Sequence, residues 1–161
     1  MIASISHHTC WCKAAAVAKR LFVQFGLLLW ASCAMAQSNV GELLDAGAQK
    51  LTTEQFKEEL VQRVIVGPTA TGATLELIYA STGAVQGRAF TPQEAQTFAL
   101  LPSIDGDWTA DDNGSICTRM TIGKASLPYR CQFWFKYADH YFLADSDSDR
   151  KARVLRRDLK Q

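Results

Sequence analysis

The spacing of apolar residues changes along the chain, and each change predicts a different element. In "LTTEQFKEELVQRV", Phe56, Leu60, Val61 and Val64 recur at helical intervals. Thr52 stands where a cap belongs, and Gln55 three places later can answer it in a capping box. Leu51 and Phe56 fall at the two positions of a hydrophobic staple. A helix is predicted here. Val40 to Lys50 reads as a preceding short helix or an arm, because Gly41 and Gly47 weaken helical propensity.

From Val64 the period shortens. "VIVG", "ATLELIYA" and "AVQGRAF" read as strands separated by turns at Gly67-Pro68 and Ser81-Thr82-Gly83. Thr91, Pro92 and Glu94 give a second helix start. Beyond it lie "IDGDWTA", the turn former "DDNG", "SICTRMTI", "YRCQFWFKY", "YFLA" and "ARVLRRDL". Short strands joined by tight turns predict a mainly β (α+β) domain. The expected architecture is an antiparallel meander, curled or forming a small open barrel, with the N-terminal helix packed on it.

The first 36 residues belong to another class. They hold Lys13, Lys19 and Arg20 and no acidic residue. After Arg20 comes the uncharged run "LFVQFGLLLWASCAMA". Basic residues, an apolar run and the small triplet Ala34-Met35-Ala36 predict a secretory signal cleaved after Ala36. The run is shorter than the ~20 apolar residues of a membrane span. A rival processing route would acylate Cys33 and tether the domain to a membrane. His7, His8, Cys10 and Cys12 are metal ligands by type, but no second ligand pair follows nearby, so they read as part of a discarded leader. The plan is therefore a leader over 1–36, an arm over 37–50 and one domain over 51–161, in a periplasmic or secreted protein.

Composition then narrows the partners. The chain is 48% hydrophobic and 20% charged, ordinary for a folded domain. Without residues 1–36 it carries 14 basic and 16 acidic residues, net −2. Nucleic acid is a poor partner for such a domain. Cys117 and Cys131 are the two cysteines that remain, and in an oxidising compartment they predict one disulfide. A hairpin turning near Lys124 would set them opposite each other. Their faces conflict, however. Cys131 alternates in phase with Phe133 and Phe135, whereas Cys117 is out of phase with Ile116, Met120 and Ile122. Either a bulge shifts the register or both faces of the sheet are partly covered.

Four stretches resemble a family of small exported bacterial domains of unknown function, mostly proteobacterial. These are "LTTEQFKEELVQRVIVG", a Gly-centred strand pair, "GDWTADDNGSIC", and the cysteine before the aromatic strand in "RCQFWFKY". The resemblance covers about Leu51 to Ala144. It implies a disulfide-linked, mainly β domain outside the cytoplasm and implies no catalytic residues. The helix near Thr91 and the "DSDSD" segment depart from that pattern.

Candidate chemistry is sparse. His140 is the one histidine of the mature chain; no Gly-x-Ser-x-Gly elbow accompanies it, and an enzyme is not expected. One histidine and a bonded cysteine pair cannot hold zinc, and no cofactor is expected. Asp145, Asp147 and Asp149 match the first three carboxylates of a calcium loop. Arg150 replaces the required Gly, and Arg156 the bidentate Glu. On a strand such charges lie about 6.5–7 Å apart and repel by only about 0.6 kcal/mol in water. A solvated acidic turn is the better reading.

Arg150, Lys151, Arg153, Arg156, Arg157 and Lys160 form a basic end that suits an anionic surface, or else an edge strand guarded by charge. Trp134 shares a face with Arg130, Gln132 and Lys136. It is an exposed partner contact if that face is open and core if it is covered. The functional expectation is an exported, monomeric, non-enzymatic binding or accessory domain. Its partner would be an envelope component or another protein, with a membrane contact only through an acylated Cys33. The alternative is a carrier whose apolar ligand sits inside the sheet against Leu75, Leu77, Tyr79, Trp108, Phe133 and Phe135. An enzyme of unfamiliar type is the third possibility.

Overall fold

The structure, a computed structural model, describes residues 37–69, 71–97 and 101–161. The signal sequence, Cys33 and the leader histidines and cysteines lie outside the described residues.

Among the described residues ten strands follow one another almost entirely as hairpins. They are β1 (Gln49–Lys50), β2 (Val64–Pro68), β3 (Thr74–Tyr79), β4 (Ala84–Phe90), β5 (Ser103–Ala110), β6 (Ile116–Ile122), β7 (Ala125–Ser126), β8 (Arg130–Tyr137), β9 (His140–Ala144) and β10 (Val154–Leu159). Three short helices accompany them among the described residues: α1 (Val40–Asp45), α2 (Thr53–Glu59) and α3 (Pro92–Thr97).

Every pairing is antiparallel. β10 pairs with β2, and β6 pairs with β8, so β2 to β6 and β8 to β10 close into an eight-stranded up-and-down barrel. The sequence left a curled sheet or an open barrel; closure is the finding. It removes every edge from the eight main strands. β10, expected as a charged edge strand, therefore lies between β9 and β2. β1 and β7 are short additions outside the ring.

Helix α2 begins as its residues require. Thr52 Oγ1 accepts from Gln55 N at 3.2 Å, and Gln55 Oε1 accepts from Thr52 N at 2.9 Å. Leu51 and Phe56 are both buried. The helix does not lie flat on a sheet. It drives Phe56 into the end of the barrel, where the ring meets Tyr79, Trp108 and Trp134 at centroid distances of 5.3, 5.4 and 5.5 Å. Glu59 then fastens the helix from below by accepting hydrogen bonds from Lys136 Nζ (2.6 Å) and Tyr141 Oη (2.7 Å).

Two cores result, one on each side of the barrel wall. The inner core holds Ile65, Leu77, Tyr79, Val85, Ile104, Trp108, Trp134 and Leu143 around Phe56. The outer core holds Phe135, Phe142, Ala144 and Val154 beneath Val40 and Leu43 of α1. This second layer removes the conflict between the cysteine faces. Cys117 and Cys131 are bonded and lie directly opposite each other in the β6–β8 ladder. Both share the outward face with Phe133 and Phe135. The face that looks polar in sequence, Arg130-Gln132-Trp134-Lys136, is the inward one.

Candidate functional site

An eight-stranded barrel is just wide enough for side chains to fill it or for one small ligand. This barrel is filled at the α2 end and hollow at the other. Above the ring of Trp134 lies a cavity of about 300 Å³. Leu75 and Leu77 of β3, Met120 of β6, Leu143 of β9 and Leu155 of β10 supply its apolar wall. Thr69 and Leu127 border it where chain segments leave the barrel, and the exposed Arg130 brings it to the surface there. Packed interiors rarely leave voids larger than a water molecule, so this space sets the barrel apart from a filled one.

Polar side chains of the strands also enter the apolar wall. Thr118 on β6 is buried. Gln132 on β8 lines the cavity and donates from Nε2 to Asp145 at 2.7 Å. Arg157 on β10 is the decisive one, at only 5% exposure. Its Nη1 donates to the carbonyls of Pro68 and Arg156, both at 2.9 Å. No carboxylate among the described residues pairs with it. Burying an unpaired cation costs several kcal/mol after relaxation, of the order of the effective penalty for a buried ion.

Local chain chemistry explains how Arg157 is held there. Pro68 has no N–H, so the β10–β2 ladder cannot continue through it. The paired register is Asp158 with Val66 and Leu159 with Ile65. Beyond it the Arg157 side chain donates to carbonyls on both sides of the seam, Pro68 on β2 and Arg156 on β10. Gly67 makes the room: a Cβ there would stand 2.7 Å from Arg157 Nη1.

Tyr79 lines the same cavity from β3. Burial pushes its phenol up to about 12, against the opposing influence of Arg157. It is therefore a neutral hydroxyl near pH 7. That hydroxyl makes no hydrogen bond with any described residue. Burial likewise lowers the affinity of Arg157 for its proton, with Tyr79 acting the other way. A guanidinium nevertheless keeps its charge in proteins.

The residues singled out in the sequence are scattered by the fold. Trp134, weighed as an exposed contact, is 2% exposed and belongs to the inner core. Arg130 lies at the cavity mouth, whereas Lys136 is at the far end on Glu59. Of the expected carrier lining, Leu75, Leu77, Tyr79 and Trp108 are inside the barrel, and Phe133 and Phe135 are outside in the second core. The basic end is not one surface. Arg153 is exposed, Arg156 donates from Nε to both carboxylate oxygens of Asp158 at 3.0 Å, and Arg157 points inward.

The three aspartates do not converge either. Asp145 takes Gln132, Asp147 pairs with Lys50 at 2.8 Å, and Asp149 accepts from the backbone of Lys151. Asp111, Cys117 and Cys131 bring ligand atoms within 4.8 Å of one another. The two sulfurs are joined to each other, so no thiolate is left to bind a metal. His140 Nδ1 lies 2.8 Å from Asp158 Oδ1 and 3.0 Å from Arg156 Nη2, half-exposed on the outer wall. Among the described residues no hydroxyl or thiol joins that group.

No protein-family model matches the chain, and no curated protein or solved structure matches it at a significant level. The fold is thus read from its own strand order. Among the described residues no helix is long and apolar enough to cross a membrane.

Proposed function

We propose that the chain is a non-enzymatic binding protein that carries a small, largely apolar molecule inside its barrel. The observation that carries this reading is the cavity of about 300 Å³ above Trp134. Its volume stands at the lower end of the range for small-molecule sites. The wall combines leucines with a few fixed polar groups, the usual make-up of such sites. The surface-docking alternative loses its anchor, because Trp134 is buried.

Export belongs to the same proposal. The basic, apolar and small-residue order of the first 36 residues supports it, as does the Cys117–Cys131 disulfide. The compact unit begins at Gln37, the residue that cleavage after Ala36 would leave first. A periplasmic or secreted carrier fits these features.

Amide NMR of the mature domain tests the reading with 1-octanol as the probe. Saturable shifts are expected at Leu75, Met120, Leu143 and Leu155. A Leu75→Trp variant, which fills the cavity, abolishes them; Phe133→Ala, on the outer wall, leaves them intact. Shifts that never saturate, or that cluster on the outer wall, overturn it.

A further inference from the structure

Resting on the carrier reading, we infer that the cavity selects a monoanionic ligand, an aliphatic carboxylate whose head group is held by Arg157 and Tyr79.

Charge comes first. Arg130 and Arg157 are the two charged residues lining the cavity, and no acidic residue lines it. A ligand cation has no partner there. A neutral ligand leaves the buried guanidinium without a counter-charge. An anion supplies one.

The free valences of Arg157 point the same way. Nη1 is used on the carbonyls of Pro68 and Arg156. Nε and Nη2 make no hydrogen bond with any described residue. Yet no side-chain nitrogen or oxygen among the described residues is both sealed from solvent and unpartnered. The unused guanidinium edge and the Tyr79 hydroxyl therefore keep some contact with solvent, and both residues line the cavity. A guanidinium edge and a neutral phenol offer donors to the two oxygens of one carboxylate.

The head group is singly charged because one buried cation faces it. Arg130 stands at the exposed mouth and serves to attract the anion. A phosphate dianion would bring a second charge into the interior with only a hydroxyl to meet it. The apolar wall of Leu75, Leu77, Leu143 and Leu155 takes the aliphatic tail.

Isothermal titration of the mature domain with octanoate, 1-octanol, octylamine and octyl phosphate tests this. Octanoate is expected to bind about ten- to 100-fold more tightly than 1-octanol, the range for a hydrogen bond to a charged group. Octylamine is expected not to bind. Arg157→Met brings octanoate and 1-octanol to similar affinities. Arg157 also closes the β10–β2 seam, so Tyr79→Phe is the second variant: it keeps the cation and weakens octanoate more than it weakens 1-octanol. Equal binding of octanoate and 1-octanol by the parent protein overturns the anion assignment and leaves the carrier reading standing. Tighter binding of octyl phosphate replaces the carboxylate with a phosphate head. Failure of all four probes overturns the carrier reading itself.

Discussion

Gly67 and Arg157 share one space across the seam that closes the barrel. A Cβ built on Gly67 would stand 2.5 Å from the Arg156 carbonyl oxygen, 2.7 Å from Arg157 Nη1 and 2.9 Å from Arg157 Cδ. The glycine is needed for room and not for a special backbone angle, since it is not among the residues with positive φ. Gly67→Ala must either push Arg157 off the Pro68 carbonyl or open the seam. Overpacking of this kind costs about 1–3 kcal/mol. Urea denaturation is expected to show a lower midpoint with an unchanged slope. A midpoint equal to that of the parent would show that the guanidinium has another place to go.

Glu59 ties α2 to the barrel and gives the fold an acid-sensitive point. Burial raises the proton affinity of its carboxyl, but the hydrogen bonds from Lys136 and Tyr141, with the Lys136 charge, outweigh it and hold the pKa below its ordinary 4.5. A carboxylate with a depressed folded-state pKa stabilises the fold above its unfolded value. That contribution fades as pH falls below about 4.5 towards the folded-state value. Melting temperatures of the parent are expected to drop over this window. Glu59→Gln should be less stable at pH 7 and lose less on acidification. Parallel curves for the two proteins would remove Glu59 as the cause.

Most of the barrel was legible in sequence, and its interior was not. Thr52 with Gln55, and Thr91 with Glu94, announced two helices through local hydrogen bonds that the structure contains. The strands followed from alternation and turn residues. Inside and outside were misjudged at Phe133 and Phe135 because alternation alone does not say which face is inner. The apolar face of β8 is covered by Val40 and Leu43, which lie far away in sequence. The cavity was hidden for the same reason. Its signature is a polar residue on an inward position, and Arg157 sits in the run "RVLRRDL", where its neighbours make it look like part of a charged surface. Gly67-Pro68, read from sequence as a turn, instead ends strand β2, and a glycine inside a strand marks a place where another group approaches closely.

The disulfide joins two neighbouring strands of the closed ring, between cysteines 14 positions apart in sequence. Cys117 is fully buried. For a loop of this length the chain-entropy model gives about 3 kcal/mol of stabilisation. The paired variant Cys117→Ser with Cys131→Ser is expected to lose about that much in urea titration, part of it from burying a hydroxyl at position 117. The parent under reducing conditions should lose a comparable amount. Insensitivity of the parent to reduction would mean that the β6–β8 ladder holds without the bond.

The outer core ties the N-terminal arm to the barrel through a cluster distinct from the inner core. Leu43 is fully buried against a cluster containing Phe135 and Phe142. The arm is also tied to the β9–β10 connection, where Val40 N donates to Ala152 O at 2.9 Å and Gly41 N to Arg150 O at 2.8 Å. Leu43→Ala deletes a buried side chain, a change that costs about 2–5 kcal/mol when the site cannot collapse. The inner core around Phe56 does not include Leu43, so the loss should fall first on the arm. Hydrogen exchange is expected to show faster exchange at Val40 and Gly41, with protection kept at Leu77 and Val85 of the barrel. Equal loss of protection at all four positions would mean that the two cores unfold as one unit and that the arm is integral to the barrel.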